Sequence, residues 1–348
     1  MVDKRSIVDM HCDTISRLWH CRAEGRESSL RTNDGHLDLL RMKDSGYLLQ
    51  NFALFVHKES CGNPWDHVME LLAVYEEELA LNSDLLAPVR RYEDIADNAR
   101  AGKMSALLTV EEGAVCMGEI EKLRILCDKG VRMITLTWNY PNELGYPNLD
   151  SIKGREIRQQ AMAHPELVNP YLNTANTTDG LTEMGRMFVE EMERLGIIPD
   201  VSHLSDAGFY DVLECSRKPF VASHSNARAV CPCVRNMTDE MIRALAERGG
   251  VMGLNFCADF LVQQAPGVHN PGTIEDIVRH ARHIANVGGM EVLGLGSDFD
   301  GIDTHEELVG VQGMEKLFDR LVKGGFTENQ VEKIFSGNVL RVYKDCIN

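Results

Sequence analysis

Short apolar runs rich in β-branched residues recur along this chain, and most are separated by longer amphipathic segments. The runs are Ile7–Asp13, Asn51–Val56, Ser105–Glu111, Met133–Trp138, Ile198–His203, Phe220–His224, Val251–Phe256 and Val292–Asp298. Continuous apolar runs of this length suit parallel strands covered on both faces. The segments between them predict helices. Trp65 to Leu81 has Pro64 near its start and Asn82-Ser83 behind it. Glu119 to Lys129 ends at Gly130, and Thr182 to Leu195 ends at Gly196, where C-caps belong. Thr238 opens a helix that ends at Gly249, and Thr273 opens another with Asp276 in the capping-box position. Residues 57–104 hold more than one helix, and Thr327 to Asp345 predicts two short helices split near Ser336-Gly337-Asn338.

Eight strands alternating with helices argue for an α/β fold, a (β/α)8 TIM-type barrel, as one domain over residues 1–348. A doubly wound open sheet is the alternative, but the glycine-rich phosphate loop it normally carries after its first strand is missing. Residues 139–181, with little periodicity and the run NPYLNTANTTDG, form a long loop after the fourth strand. In a barrel that loop lies on the C-terminal face, so it is expected to cover or line a site.

Composition narrows the function. Hydrophobic residues make up 44% and charged residues 26%, as in ordinary globular proteins. The 53 acidic residues outnumber the 36 basic ones, for a formal charge of −17. A nucleic-acid backbone binder needs the opposite balance, and an anionic membrane surface offers this chain no attraction. No apolar stretch of signal-peptide or transmembrane length is present, and the ten cysteines are scattered. The expectation is a cytoplasmic protein with reduced thiols, in which the Cys231-Pro-Cys233 pair is incidental.

The last residues of five runs carry chemistry. They read Met10-His11-Cys12-Asp13, Val110-Glu111-Glu112-Gly113, Asp200-Val201-Ser202-His203, Ala222-Ser223-His224-Ser225 and Gly296-Ser297-Asp298-Phe299-Asp300. One such residue is commonly a satisfied polar group at a strand end. Five of metal-ligand type at one barrel rim point to a metal centre. Residues i and i+2 of a strand point the same way, so His11 and Asp13 form a two-ligand arm. His203 and His224 add imidazoles from adjacent strands, and Glu111 stands between the groups, able to give one oxygen to each of two cations. Imidazole and carboxylate without thiolate suit catalytic zinc. Two such ions about 3.5 Å apart polarise a carbonyl and lower the pKa of a water, which leaves Asp298 free to accept the proton. Asp200 is a candidate acceptor behind the histidines. The remaining histidines read otherwise. His280 and His283 are expected on a solvated helix face. His20, His36, His57, His67, His269 and His305 lack partners at ligand spacing, and His164 lies in the long loop within reach of a substrate. Glu76, Glu77 and Glu78 read as a solvated helix surface.

Taken together, HCD, VEEG, DVSH, SHS and GSDFDG, with GLTEMGRMFVEEMERLGIIPDVSHLSD and VRNMTDE, resemble the renal (membrane) dipeptidase family, peptidase family M19, over nearly the whole chain. The resemblance implies a zinc-dependent dipeptidase that uses a metal-activated hydroxide. It assigns His11 and Asp13 to one zinc and His203 and His224 to the other, with Glu111 bridging and Asp298 as the acid/base. It also implies that Arg235, followed by Asn236, holds the free carboxylate of a dipeptide substrate, a role that guanidinium fills bidentately. Members of the family are often dimers, so a homodimer is implied, without an interface.

One departure stands out. The family's fourth strand typically ends in a TLTH-like run whose histidine contacts substrate, whereas this chain has Thr135-Leu136-Thr137-Trp138-Asn139. Oxyanion stabilisation by one such donor is commonly worth about 2.7–4 kcal/mol. Trp138 therefore reshapes the pocket or redirects the substrate, and Asn139 is a candidate neutral donor in its place. Glu112, where the family often has glycine, is expected outside the metal cluster. Two other readings compete. One is a binuclear amidohydrolase acting on a cyclic amide or lactone, which usually shows HxH on strand one and often a lysine on strand four. The other is a barrel that keeps its metal but only binds a ligand.

Overall fold

A computed structural model of the chain describes residues 6–161, 168–264 and 270–347. Strand β1 (Ile7–Asp9) leads to α1 (Thr14–Ala23) and α2 (Leu39–Asp44), and β2 (Tyr47–Phe55) leads to α3 (Pro64–Leu81). Then come β3 (Leu86–Pro88), α4 (Tyr92–Arg100), β4 (Met104–Glu111), α5 (Ile120–Lys129) and β5 (Val131–Thr135). Helices α6 (Ser151–Ala161), α7 (Val168–Asn173) and α8 (Glu183–Leu195) precede β6 (Ile198–Asp200). The chain continues through α9 (Asp206–Cys215), β7 (Val221–Ala222), α10 (Asp239–Glu247) and β8 (Val251–Leu254). It ends with α11 (Ala258–Leu261), α12 (Ile274–Gly288), β9 (Leu293–Leu295), α13 (Met314–Lys323), α14 (Glu328–Glu332) and α15 (Asn338–Cys346).

Eight parallel strands close in the order β1, β2, β4, β5, β6, β7, β8, β9, and helices ring them. This is the (β/α)8 barrel that the apolar runs predict. Every barrel strand falls on a predicted run. β3 is additional: it pairs with the first residues of β4, Met104 to Ala106, far from the mouth. Two apolar layers hold the fold. Val8, Leu49, Leu107, Met133, Ile198, Val221 and Val251 fill the barrel, and Val339, Val342 and Tyr343 of α15 pack with them. Outside, Phe52, Leu54, Leu108 and Ile134 are buried with helix residues such as Phe188, Phe209 and Ile284. Each fully buried Leu, Ile or Phe contributes roughly 1.5–3 kcal/mol.

The caps form where the sequence puts them. The Thr182 hydroxyl accepts from the Gly185 N–H, and Gly196 ends α8 at φ 74°. Thr238 and Thr273 cap α10 and α12 through the N–H groups of Met241 and Asp276. Losing one such cap costs about 1 kcal/mol. The last helices differ from expectation: Ser336 and Gly337 do not split them, because a π turn, Lys333–Gly337, carries α14 into α15 without a break. Segment 139–181 contains α6 and α7, and Asn148 pins it to the mouth. The Asn148 N–H donates to the His203 carbonyl at 2.9 Å and its amide donates to Leu204 and Val234 carbonyls. His164 and His269 lie outside the described residues. Among the described residues no helix is long and apolar enough to cross a membrane.

Candidate metal centre

Apart from β4, which ends on Glu111, the strands that carry the cluster stop before its side chains begin. β1 ends at Asp9, β6 at Asp200 and β9 at Leu295, two to three residues short of His11, His203 and Asp298. The chain then turns inward, and His203 and Asp298 sit at φ 70° and 65°. A non-glycine residue in this region costs of order 1–3 kcal/mol and persists where surrounding contacts over-determine it. Asp13 lies past the strand too, as the N-cap residue of α1. His11 and Asp13 nevertheless share one side, as alternation predicts, because Cys12 between them forms a parallel bridge with Phe299 and packs into the outer apolar layer.

Five predicted ligands meet at the mouth. His11 Nε2 lies 3.3 Å from Glu111 Oε2 and 3.4 Å from Asp13 Oδ2. Glu111 Oε1 lies 3.1 Å from His203 Nε2 and 3.7 Å from His224 Nε2. One oxygen of Glu111 thus faces each pair. Asp298 Oδ1 is 3.9 Å from His11 Nε2, and its Oδ2 accepts from the Asn255 amide at 2.9 Å. Ligand atoms of His11, Glu111 and His224, and of His11, Asp13 and Asp298, gather within 4.8 Å of one another.

Hydrogen bonds behind the ligands set their protons. The Ser223 hydroxyl donates to Asp200 at 2.5 Å and so accepts from His224 Nδ1 at 2.7 Å. His203 Nδ1 donates to Asn139 Oδ1 at 2.8 Å. Both imidazoles then carry their proton on Nδ1 and turn Nε2 lone pairs inward. These two Nε2 atoms are 3.0 Å apart, with a carboxylate oxygen beside them. Acceptors facing acceptors repel, and a cation between them removes the conflict. His11 Nε2 and Asp13 Oδ1 are buried without a hydrogen-bond partner. The donor set and its orphaned atoms fit divalent metal.

Burial dominates the electrostatics. It depresses His203 and His224 well below the usual histidine range, which keeps them neutral. It raises Asp298, and it pushes Glu111 up to about 7. At His11 burial opposes charge, but the Glu111 and Asp13 carboxylates outweigh it and raise the imidazole.

The other predicted residues fall in different places. Arg235 is 3% exposed, and burial lowers its pKa. Its Nη2 donates to the His224 carbonyl at 3.4 Å, its Nε has no partner, and it lies 5.1 Å from the Phe260 ring centroid. Asn236 spends its amide on backbone groups of Cys231, Phe260 and Asn226. Asn139 orients His203, and Trp138 packs among Phe55, His57 and Tyr140. Glu112 turns away at φ 95° and binds the N–H groups of Ala114 and Trp138. A cavity of about 510 Å³ opens on Asp13, Glu111, His203 and Asp298 between Phe55, Trp138, Asn139 and Phe260.

Three expectations change. His280 is fully buried: Nδ1 accepts from the Ala227 N–H and Nε2 donates to the Leu261 carbonyl. His283 is part-buried against Asp239. Glu78 is 1% exposed and holds Arg22 and the Leu30 N–H, which fixes the segment after α1. Distant loops bury these groups, so helical spacing alone does not reveal it. Asp9 was not singled out by the sequence, yet it accepts from the Ser297 N–H and hydroxyl at 2.9 and 2.6 Å. Its parallel with Asp200, each an aspartate two to three residues ahead of a rim histidine, is the signal that could have found it.

A model of the membrane dipeptidase family, peptidase family M19, matches residues 1–347. The chain is 33% identical over 286 residues to an uncharacterized Klebsiella pneumoniae protein from the pqqA 5′ region, covering 82% of this chain and 97% of that one. It is 30% identical over 305 residues to dipeptidase tcpJ of Claviceps purpurea, covering 85% of this chain and 62% of that protein. Among solved structures it is similar to a metallopeptidase of family M19 described as dipeptidase AC, with a TM-score of 0.84, 25% identity and 99% of each chain covered. A metallopeptidase from Rhodobacter sphaeroides, solved with a phosphinate mimic of the dipeptide L-Ala-D-Ala, superposes with a TM-score of 0.84 at 24% identity, over 99% of this chain and 100% of that one.

Proposed function

The chain belongs to the membrane dipeptidase family, peptidase family M19, and on that premise we propose that it hydrolyses the amide bond of dipeptides at a two-zinc centre. His11 and Asp13 would hold one ion, His203 and His224 the other, and Glu111 would serve both. The observation that carries this reading is the cluster of inward lone pairs beside a buried, weakly partnered guanidinium, Arg235. Such a cation is costly unless an anion joins it, and the free carboxylate of a short peptide is the anion that fits.

When bound, the two ions polarise the scissile carbonyl and acidify a water. The protein does the rest. Arg235 grips the C-terminal carboxylate and so measures substrate length. Asn255 steadies Asp298 through Oδ2, leaving Oδ1 toward the cluster. That carboxylate, buried at the edge of the cluster, is placed to take the proton of the attacking water and pass it to the leaving amine. Asn139 keeps the His203 ring in register. Phe55, Trp138 and Phe260 wall the cavity and exclude bulk water. All ten cysteines are unpaired, which supports a reducing, cytosolic setting.

The test is hydrolysis of L,L and L,D dipeptides by zinc-reconstituted protein beside chelator-treated protein. Cleavage that needs metal is expected. Trp138 favours one other reading, because its indole packs on Phe55 and Tyr140 where the family places a histidine. No cleavage by protein carrying two zincs per chain would overturn the dipeptidase reading and turn attention to cyclic amides.

A further inference from the structure

The same cavity has a cationic wall that the reaction above does not use. Arg17 and His20 stand three residues apart on α1, hence on one face, and Arg26 follows just past the turn at Gly25. All three line the cavity together with Asp13, Asp298 and Asp300. Glu78 holds the chain between α1 and Leu30, through Arg22 and the Leu30 N–H, so Arg26 sits on an anchored segment.

Arg17 is incompletely satisfied. Its Nη2 meets Asp34 at 2.5 Å and its Nε lies 3.8 Å from Asp300, while Nη1 is buried without a partner. Asp300 is already engaged by the Thr14 hydroxyl and the His36 N–H. The Asp34 side chain is 84% exposed, so that ion pair competes with water and contributes little. Arg26 is 54% exposed and pairs with an equally solvated Glu24. An anion entering the cavity meets Arg17 as a lining residue with a second cation, Arg26, nearby, and it competes with the solvated partners Asp34 and Glu24.

Arg235 occupies a different sector. It belongs to the loop after β7 and packs on Phe260 after β8, and β9 separates these strands from β1, α1 and Arg17. The carboxylate of a substrate held at Arg235 therefore leaves Arg17 and Arg26 unused. We propose that the preferred substrates carry a second carboxylate, on a side chain, and are dipeptides containing aspartate or glutamate. Arg17 and Arg26 are then specificity determinants. This rests on the dipeptidase reading of the same site.

The test compares kcat/KM of the zinc-loaded enzyme for Ala-Ala, Asp-Ala, Ala-Asp and Lys-Ala. At least one acidic substrate is expected to exceed Ala-Ala by about tenfold or more, the worth of one charge-assisted hydrogen bond. Arg17→Met removes most of that ratio and Arg17→Lys restores part of it. Arg26→Glu, at an exposed position that does not support the core, lowers the ratio and raises the relative rate with Lys-Ala. Equal values for acidic and neutral substrates would overturn the inference, as would an acidic preference unmoved in both Arg17→Met and Arg26→Glu. Cleavage of Ala-Ala in either case leaves the dipeptidase reading standing, whereas no cleavage of any member overturns that reading itself.

Discussion

On the β6–β7 side of the cluster, Asp200 accepts four hydrogen bonds: from the N–H groups of Ser202 and Ser223 and from the hydroxyls of Ser223 and Thr135. On the β1–β9 side, Asp9 accepts three: from the Ser297 N–H and hydroxyl and, at 3.4 Å, from the His11 N–H. The device is the same. A buried aspartate at a strand end clamps the serine that precedes His224 or Asp298. The finish differs. Behind His203 and His224 every ring proton has an acceptor, while His11 Nε2 and Asp13 Oδ1 face inward without partners. One arm is set by the protein's own polar network. The other keeps buried atoms without protein partners, and a cation shared by both arms would satisfy them.

Four substitutions break or sharpen this contrast. Glu111→Gln removes the carboxylate that both arms share, so hydrolysis should fall about a thousandfold or more and bound metal should drop in both arms. Asp298→Asn acts on the β1–β9 side alone: the rate should fall roughly 10²–10⁴-fold with metal content unchanged, and full activity in the metal-loaded variant would remove Asp298 from the reaction. Asp200→Asn loosens the set arm, and metal affinity should weaken toward 100-fold by competition with a chelator, while Asp9→Asn should cost nearer tenfold. Equal losses would mean that the two clamps do the same work.

The smallest effect is on pH. His280 braces the loop after β7, and burial, the larger influence, lowers its pKa to about 4. The unfolded chain binds that proton near 6.5 and the folded one does not, so the stability His280 confers is complete above pH 6.5 and is lost as pH falls toward 4. Denaturant unfolding of wild type and His280→Gln should show a shallower pH slope in the variant over that window, by about 1.4 kcal/mol per pH unit at most.

Much of this was legible in the sequence. The barrel is readable because buried parallel strands need unbroken apolar runs, and the caps at Thr182, Gly196, Thr238 and Gly130 are local chemistry. The candidate ligands are readable because each stands at or just past the end of such a run. What stayed hidden depends on residues far apart in the chain. Asp9 meets Ser297 and Glu78 meets Leu30. The burial of His280 follows from loops around Ala227 and Leu261. The left-handed turns at His203 and Asp298 carry only a weak signature, since Asp and His tolerate that region better than most residues but adopt it far less readily than glycine. Strand alternation put His11 and Asp13 on one side of Cys12, and that relation persists just past β1, where Cys12 bridges Phe299 and packs outward. β3 escaped notice because three residues ending in proline carry no period.

Under the proposed function, the five rim residues would hold two divalent ions that dipeptide cleavage requires. The most direct measurement is a titration of chelator-stripped enzyme with zinc, with dipeptide hydrolysis and bound zinc followed together. A two-zinc centre gives no hydrolysis without metal, a rise that saturates at two zincs per chain, and loss of both stoichiometry and rate in Glu111→Gln. Undiminished hydrolysis by the stripped enzyme, or full hydrolysis at saturation with two zincs bound in Glu111→Gln, would contradict it.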